Sequence, residues 1–408
     1  MNQALEGMRV LEWTTTIQGP SAGAMLTDLG AEVVKMESKE TGDPMRKSTV
    51  VSGIPAIGPD GVSLAFSWLN RNKKSIAIDL KAPGALDVVH RILRKSDVFL
   101  TNFRPSAAAR VGLSYEQVRD INPRLIYAQF SGMGTKGPYG AIRAMASSGL
   151  AVGGILMIGR GPREGPIPGD HNYGDQMGAI AGTQGILAAL LARERYGIGQ
   201  KVSASITSGA LWVHQTNLAV TCLTGKEFVA VKKTRAPANA LIGTYRTNDG
   251  KWIAISMGGV YSEELWYMLC EALGRPRLAQ DPRFAKRQDR EANNTLLFRI
   301  LQRAFRKKTR DEWMQIAKQY DLVIAPVNTL AEAINDQQLI ENQYVTMFDH
   351  PVLGKIKLPG MPFDLSETPG SVSCLAPRLG EHTEYVLKQI AGYNPSDIEG
   401  LKTAGVVA

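Results

Sequence analysis

The chain has 408 residues, 44% of them hydrophobic, which is enough for two domains or one elaborated domain with a buried core. The formal net charge of +9 is spread along the chain, so it fits a phosphate-bearing small molecule as well as nucleic acid and requires neither. The three cysteines and five histidines match no metal-ligand spacing, the first residues carry no basic and apolar signal region, and no apolar run reaches membrane-spanning length. We therefore expect a cytoplasmic protein with reduced thiols, no metal site, no nucleic-acid partner and no membrane partner.

The N-terminal part predicts strands that alternate with helices. Arg9 to Trp13 has the pattern of a buried strand, a loop from Thr14 to Pro20 follows, and a helix from Ser21 ends at Gly30. A second strand follows from Ala31 to Glu37. This order is a βαβ unit and predicts a parallel sheet with right-handed crossovers. Ligands of such sheets bind at the carboxyl ends of the strands.

The first loop and helix also contain Gly19 and Gly23. Together with Glu37, these glycines could be interpreted as a dinucleotide-binding fingerprint. The spacing is not G-x-G-x-x-G, and the loop has no second glycine where a pyrophosphate would approach the backbone. We interpret the segment as a ligand-binding loop of another kind.

The alternation continues through the next hundred residues. Lys73 and Lys74 precede a predicted strand from Ile76 to Leu80, where they would either contact phosphates or form a solvated strand start. Further strands are predicted at Val98 to Thr101 and Leu125 to Phe130, with helices between them. This pattern predicts the α/β class, with a large Rossmann-like parallel-sheet domain.

Asp175 lies where a polar loop, Pro168 to Gly174, leads into a helix that extends to Arg195. The simplest interpretation is an N-cap, in which the carboxylate accepts hydrogen bonds from the first amides of the helix. The helix is apolar or small on nearly every face, which indicates burial, and Gly174 and Gly178 leave its start open to a bulky ligand. A carboxylate presented there is a candidate nucleophile.

The second half of the chain no longer alternates strands with helices. Leu241 to Arg246 and Lys251 to Ser256 predict an antiparallel hairpin, and helices follow from Glu263, Glu291 and Thr309. The predicted organisation is the first part of a large α/β domain at residues 1–203, a linker at 204–234, a small α+β domain at 235–323, and a return linker with the C-terminal part of the large domain at 324–408.

Short sequence blocks, distributed along nearly the whole chain, form one recognisable pattern. They are Leu5–Leu11 with Gly19 and Pro20, Leu29–Glu37 with Gly42 and Asp43, Asn72–Leu80, Asn102–Pro105, Arg110–Tyr115, Asn122–Tyr127, Ser131–Tyr139, Gly185–Leu190, Ala325–Asn328, His350 and Pro351, Pro359–Phe363 and Leu379–Thr383. Together these blocks resemble the family III CoA-transferases, the group that includes formyl-CoA transferase and the carnitine CoA-transferases. The resemblance implies that the large domain binds CoA and that the chains form an interlocked dimer, either a homodimer or a heterodimer with a paralogous subunit.

The resemblance implies an enzyme that moves CoA from an acyl-CoA thioester, such as succinyl-CoA, to a free carboxylic acid. Asp175 stands at the family's distance before the Gly185 block and becomes the acyl-accepting nucleophile, whereas Asp170, five residues earlier, lacks that spacing. Attack on the thioester would give a mixed anhydride, which the CoA thiolate would convert to an aspartyl-CoA thioester. CoA esters are then substrates, and no cofactor is bound permanently.

The resemblance also assigns the residues around the substrate. Ile17 and Gln18 lie beside the thioester, in the first loop. The residues that fall where the family binds the CoA nucleotide and pantetheine are Lys39, Lys73, Asn102, Phe103 and Arg110. Phe103 offers a ring face to adenine or pantetheine, and cationic side chains suit phosphates.

Two stretches depart from the family pattern. Formyl-CoA transferase has a run of glycines before its small-domain strand that moves over the active site, whereas here only Gly258 and Gly259 occur, later in the hairpin, so we expect a different lid near the thioester. The segment from Tyr139 to Gly149 is shorter than usual and lacks the acidic residue of many members. Arg143 in this segment would bind a second carboxylate, which favours a dicarboxylic acid.

Two other functions are compatible with the same fold. An α-methylacyl-CoA racemase moves an α-proton with a histidine and an aspartate, but the family's histidine position falls in the shortened segment, which has none, and His171 is misplaced. A non-catalytic subunit of a hetero-oligomeric CoA-transferase is the other alternative, and an intact Asp175 argues against it.

Overall fold

The computed structural model describes residues 2–58, 61–158, 165–167, 172–226, 239–259 and 262–408. The chain divides into two compact units. The first consists of Met1–Phe228, Asp349–Ile356 and Met361–Ala408, and the second of Val229–Phe348 and Lys357–Gly360. Among the helices of the described ranges, none combines the length and apolar composition that crossing a membrane takes.

A six-stranded parallel sheet forms the centre of the first unit. The strands of this unit up to residue 205 are β1 (Arg9–Trp13), β2 (Glu32–Ser38), β3 (Val50–Val51), β4 (Ile54–Pro55), β5 (Lys74–Ile78), β6 (Val98–Thr101), β7 (Ile126–Ser131) and β8 (Lys201–Ser205). The sheet order is β5-β2-β1-β6-β7-β8, with β3 and β4 in a separate pair. All neighbours in the large sheet are parallel, which confirms the α/β, Rossmann-like prediction. The strand order reverses between β1 and β6, the position where such sheets bind ligands.

Helices cover both faces of this sheet. Those before residue 225 are α1 (Gln18–Asp28), α2 (Leu64–Leu69), α3 (Ala85–Arg94), α4 (Pro105–Arg110), α5 (Tyr115–Ile121), α6 (Ala146–Val152), α7 (Tyr173–Tyr196), α8 (Ile206–Val213) and α9 (Gln215–Thr224). Short 3₁₀ turns lie at Pro44–Lys47 and Ile155–Met157. Because successive strand residues point to opposite faces, Val10 packs with α1 and α7, whereas Leu11 packs with α3 and the C-terminal helices.

The second unit has its own antiparallel sheet and core. Its strands β9 (Ile242–Arg246), β10 (Trp252–Ser256) and β11 (Ile324–Val327) are ordered β11-β10-β9, which confirms the predicted hairpin. Its helices are α10 (Ser262–Ala272), α11 (Arg287–Ala292), α12 (Asn294–Phe305), α13 (Arg310–Gln319), α14 (Leu330–Ala333) and α15 (Gln337–Glu341), with a 3₁₀ turn at Pro276–Gln280. Trp266, Phe305 and Trp313 fill the core, and the predicted Thr309/Glu312 capping box is present.

The remaining elements complete the chain. They are the paired strands β12 (Val345–His350) and β13 (Gly354–Pro359), then α16 (Thr383–Tyr385), a π-helical turn at Val386–Ile390, and α17 (Pro395–Thr403). Two predicted boundaries differ from this arrangement. Residues 206–224 form α8 and α9, whereas a linker was predicted there, and Ile324 begins β11 of the small sheet, so the return to the first unit comes only near Asp349.

Candidate active site

Asp175 lies in the first turn of α7, where its negative charge is favourable at the positive end of the helix dipole. The helix begins at Tyr173, so Asp175 is its third residue and the predicted N-cap role is not what the structure shows. The N-cap position belongs to Asn172, whose side chain makes no capping hydrogen bond. Asp175 is half-buried. The competing Asp170 and the misplaced His171 lie outside the described residues.

Asp175 lines a cavity of about 270 Å³, which we call the Asp175 cavity. Four residues that the sequence assigned to the site meet in its lining: Ile17, Gln18, Asn102 and Asp175. The cavity walls come from the loop after β1, the loop after β6, the end of β7, and the starts of α6, α7 and α8. These are the carboxyl ends of parallel strands and the helices that follow them, as expected for this class of sheet.

Gln18 brings an amide group close to the helix of Asp175. It is the first residue of α1 and is buried, and its Nε2 donates to the carbonyl of Ser131 at 3.3 Å. The same nitrogen lies over Gly178, where any Cβ would clash with it. Because Gly178 follows Asp175 by three residues, the two share one face of α7. A glycine at position 178 therefore permits an amide donor to approach within one helical turn of the carboxylate.

Asn102 holds the loop between β1 and α1. Its Nδ2 donates to the carbonyl of Thr15 at 2.8 Å, and its Oδ1 accepts from the N–H of Thr15 at 3.0 Å. Both ends of the amide are thus directed at the loop backbone. This contact is a different role from the CoA contact that the sequence assigned to Asn102.

A second cavity, of about 390 Å³, is lined in part by the start of the loop between β1 and α1, and we call it the Phe103 cavity. The rings of Trp13 and Phe103 stack at its wall, with centroids 4.2 Å apart and planes inclined by 19°. Thr14 and Thr15 border this cavity, whereas Thr16 and Gln18 border the Asp175 cavity. The loop between β1 and α1 therefore lines both cavities.

The predicted phosphate-binding cations do not line the Phe103 cavity. Lys39 donates to the carbonyl of Gly405, and Arg110 is exposed at the end of α4. Lys81, which the sequence prediction did not single out, does line it. Lys81 follows β5 at its carboxyl end, so the rule that ligands bind at this edge of a parallel sheet could have identified it from the sequence.

Lys73 lies inside the protein. Its side chain is completely buried, with Nζ 2.7 Å from a carboxylate oxygen of Glu12, 2.8 Å from the carbonyl of Pro20 and 3.0 Å from Oδ1 of Asn70. Burial lowers the pKa of Lys73 to about 8, and the Glu12 carboxylate only partly offsets this effect. A buried ammonium with three partners is unavailable to a CoA phosphate, so the structure argues against the predicted contact. Lys74 instead pairs with Glu32 at the strand start.

The remaining predicted residues lie on loops. Arg143 is exposed, and the next four residues, 144–147, line the Asp175 cavity although Arg143 itself does not. Gly258 and Gly259 follow β10 in the second unit, and Gly259 has a φ of +82°, a conformation that glycine adopts readily. Their proximity to a thioester stays a prediction.

Comparison with known proteins identifies the family. The family model for CoA-transferase family III matches residues 5–383. The succinyl-CoA–D-citramalate CoA-transferase of Chloroflexus aurantiacus is 33% identical over 406 residues, which cover 99% of this chain and 98% of that protein. The formyl-CoA:oxalate CoA-transferase of Streptomyces avermitilis is 32% identical over 424 residues, with 100% of both chains covered.

A solved structure agrees with these sequence matches. The crystal structure of a CAIB/BAIF family protein from Brucella suis is similar with a TM-score of 0.80 and 26% sequence identity, covering 96% of this chain and 100% of that chain. The resemblance noted in the sequence blocks is confirmed over nearly the entire length. This chain therefore belongs to CoA-transferase family III.

Proposed function

We propose that this protein transfers CoA from an acyl-CoA thioester to a free carboxylic acid and that Asp175 is the carboxylate that accepts the acyl group. The observation that carries the proposal is the Asp175 cavity, in which a half-buried carboxylate and the buried amide of Gln18 meet at the ligand-binding edge of the sheet. Family membership and the CoA-transferase relatives support the reaction class.

The chemistry requires only carboxylates and a thiol. The Asp175 carboxylate attacks the thioester carbonyl, the C–S bond breaks, and a mixed anhydride and CoA thiolate form. The thiolate attacks the aspartyl carbonyl, which gives an aspartyl-CoA thioester and releases the first acid as its carboxylate. The incoming carboxylate attacks this thioester, and the thiolate then takes the new acyl group and restores Asp175. We therefore propose no permanently bound cofactor.

Two features of the cavity suit these steps. Each attack builds negative charge on a carbonyl oxygen, and the Gln18 amide and the amides in the first turn of α7 are candidate donors to that oxygen. Anhydrides and thioesters hydrolyse in water, so the site must exclude solvent while they exist. Ile17, Met45 and Ile206 supply apolar parts of the cavity wall.

The Phe103 cavity is the proposed place for the CoA moiety. The exposed face of the Trp13–Phe103 stack would receive adenine or pantetheine, and Lys81 would contact a phosphate. Lys81 replaces Lys73 in this assignment because Lys73 is buried in an ion pair. Lys39 and Arg110 stay predictions for the same ligand.

We propose a dicarboxylic acid as one substrate and succinyl-CoA as the donor. The relatives named above act on citramalate and oxalate, and a mouse relative, 30% identical over 408 residues that cover 99% of this chain and 90% of that protein, is a succinyl-CoA:glutarate CoA-transferase. All of these acids carry two carboxylates. Arg143, beside the segment that lines the Asp175 cavity, is the proposed contact for the second carboxylate.

We also propose that the protein is an interlocked dimer. The helices α8 and α9 expose large apolar side chains, among them Trp212 at 62% and Leu223 at 86%. Apolar patches of this kind mark interaction surfaces. Related proteins are named as alpha and beta subunits of a succinyl-CoA–L-malate CoA-transferase, so both a homodimer and a heterodimer with a paralogous chain are proposed.

The substitution Asp175→Asn tests the proposal. It removes the nucleophile with little change in size, so we expect CoA transfer to a panel of acids to be abolished while the melting temperature stays near that of the wild type. Glu194→Gln, near the other end of the same helix, is the matched control and should keep full activity. Full activity in Asp175→Asn would refute the nucleophile, and α-deuterium exchange without transfer would favour the racemase alternative.

A further inference from the structure

Side chains from three different segments hold the backbone of the loop that carries Gln18. Lys35 Nζ contacts the carbonyl of Thr14 at 3.1 Å. Asn102 is bonded to both the N–H and the carbonyl of Thr15. The N–H of Thr16 donates to Oδ1 of Asp43 at 3.2 Å. Three consecutive residues are therefore each fixed by a side chain from outside the loop.

The loop needs this support because of its backbone conformation. Thr16 has a φ of +66°, in the left-handed region that costs free energy for a β-branched residue. Such a conformation persists only when the surrounding structure imposes it. Gln18, two residues later, begins α1, so the direction in which α1 starts depends on this turn.

Lys35 lies under the loop with its charge completely buried. It stands in β2 directly opposite Glu12 of β1. Besides Thr14, its ammonium contacts Oε1 of Glu12 at 3.2 Å and Oδ2 of Asp43 at 3.0 Å. Burial would lower the pKa of Lys35, but the carboxylates of Glu12 and Asp43 outweigh it and raise the pKa above its ordinary value. The lysine is thus held as a cation, with one acceptor for each of its three hydrogens.

Asp43 is fixed as firmly as Lys35. Its Oδ1 also accepts from the N–H of Met45 at 2.9 Å, and its own N–H donates to Glu37 at 3.0 Å. Glu37 in turn accepts two hydrogen bonds from Arg46, at 2.8 and 2.7 Å. The carboxylate that holds Thr16 therefore has little freedom to move away.

The other end of α1 offers an internal comparison. There Asp28, the last residue of the helix, pairs with Arg71, whose side chain is 11% exposed. This pair is also largely buried and also anchors α1. Its contacts involve the end of the helix and the chain near Trp68, and it lines neither cavity. It therefore stabilises the fold without contacting the loop.

Resting on the function proposed above, we propose that Lys35 and Asp43 are positioning residues for CoA transfer. They hold Thr14, Thr15 and Thr16 in a strained turn, and this turn keeps the Gln18 amide over Gly178, one helical turn from Asp175. Neither residue touches the reacting atoms in this account. Their removal should affect the chemical step more than the binding of acyl-CoA, since misplacement of a catalytic group by about 1 Å can reduce a rate about 100-fold.

The double variant Lys35→Met/Asp43→Asn tests the proposal. It removes one buried positive charge and one buried negative charge together. Glu12 keeps its ion pair with Lys73, so the substitution leaves no unpaired charge in the interior. We expect the rate constant for formation of the covalent adduct from succinyl-CoA alone to fall by about 10- to 100-fold. Because Asp43 also borders the Phe103 cavity, we expect the succinyl-CoA concentration that gives half the maximal rate to rise by a much smaller factor than the rate constant falls. The matched control is Arg71→Met/Asp28→Asn, which should react at nearly the wild-type rate.

Amide hydrogen exchange supplies a readout that does not depend on activity. We expect the peptide that covers Thr14 to Gln18 to exchange faster in Lys35→Met/Asp43→Asn than in the wild type, and to be unchanged in the control variant. Equal adduct rates in the two double variants, or unchanged exchange of this peptide, would overturn the proposal. If the wild type forms no adduct with succinyl-CoA, the proposed donor or reaction fails, and the exchange experiment still decides whether the two residues hold the loop.

Discussion

The Asp175 cavity and the Phe103 cavity share one loop but differ in the side chains that line them. The first is smaller and gathers neutral polar groups from Gln18, Asn102 and the start of α7 around one carboxylate. The second is larger and presents stacked aromatic rings and aliphatic side chains, and its lining also includes the exposed Lys81 and three acidic residues, Glu37, Asp43 and Asp79. We propose that the two cavities divide the roles, with acyl transfer in the Asp175 cavity and binding of the bulk of the CoA ester in the Phe103 cavity.

The largest effect of a substitution beyond Asp175 is expected at Gly178. In Gly178→Ala the new Cβ would clash with Nε2 of Gln18 and displace the amide from the Asp175 cavity. We expect kcat to fall by about 100-fold, with the KM for acyl-CoA nearly unchanged. Steady-state kinetics with succinyl-CoA would measure both quantities.

The control for this variant lies on the same helix. In Gly185→Ala the new Cβ would also be crowded, at 2.8 Å from Cγ1 of Val202, but neither residue lines the Asp175 cavity, so kcat should stay near the wild-type value. A KM effect without a kcat effect in Gly178→Ala would contradict the assignment of Gln18 to the chemical step.

A smaller and opposite pattern is expected in the Phe103 cavity. Phe103→Ala removes one ring of the stack with Trp13 and the face offered to adenine or pantetheine. Stacking of this kind contributes roughly 1–3 kcal/mol, so we expect the KM for acyl-CoA to rise about 10-fold with little change in kcat. The KM for the acid should not change.

The matched control is Tyr115→Ala, which removes a ring packed on Tyr127 and absent from either lining. If Phe103→Ala lowered kcat and left the KM for acyl-CoA untouched, the two cavities would not divide binding and chemistry as described.

The smallest effect on activity is expected at Glu37, whose side chain is buried against Arg46 and whose hydrogen bond from the N–H of Asp43 the amide oxygen of a glutamine can also accept. Burial would raise the pKa of Glu37, but the hydrogen bonds and charge of Arg46 and the charge of Lys35 outweigh it and lower the pKa below its ordinary value. The resulting stabilisation is complete above the unfolded pKa of about 4.5 and is lost as the pH falls through the lowered folded pKa.

Glu37→Gln should therefore cost about 3 kcal/mol of unfolding free energy at pH 7. Thermal melts of both proteins from pH 7 to pH 3 would show the difference shrink as the pH falls below about 4.5. A difference that grows toward acid pH would contradict the direction of the pKa change.

Local sequence patterns predicted the strands of the parallel sheet and the edge of the sheet at which the Asp175 cavity lies. The alternation after Arg9 predicted the parallel sheet, and the loop before α7 predicted a carboxylate at the start of a buried helix. These features depend on neighbours along the chain. The positions of Ile17 and Gln18 near Asp175 followed from the family resemblance and are consistent with the cavity, whereas Asn102, which the resemblance assigned to CoA, also lines it.

The errors came from contacts between distant segments. Lys73 was assigned to CoA binding from the family resemblance, but Glu12, which lies 61 positions earlier, pairs with it in the interior, and Gly23 provides the space for that carboxylate. The sequence predicted that the chain returns to the first unit at Ile324. Residues from Ile324 instead form β11, which pairs with β10 in the second unit, and the two paired segments are about seventy residues apart in sequence. Neither the Glu12–Lys73 contact nor the β10–β11 pairing is indicated by the residues that neighbour these segments in the sequence.

The covalent adduct on Asp175 is the most direct test of the central claim. The wild-type protein would be incubated with succinyl-CoA alone, quenched, digested and examined by peptide mass spectrometry. We predict that the mass of CoA, less one water, appears on the peptide that contains Asp175 and is absent from the same peptide of Asp175→Asn. An adduct on another residue, or rapid transfer with no adduct at all, would contradict the account.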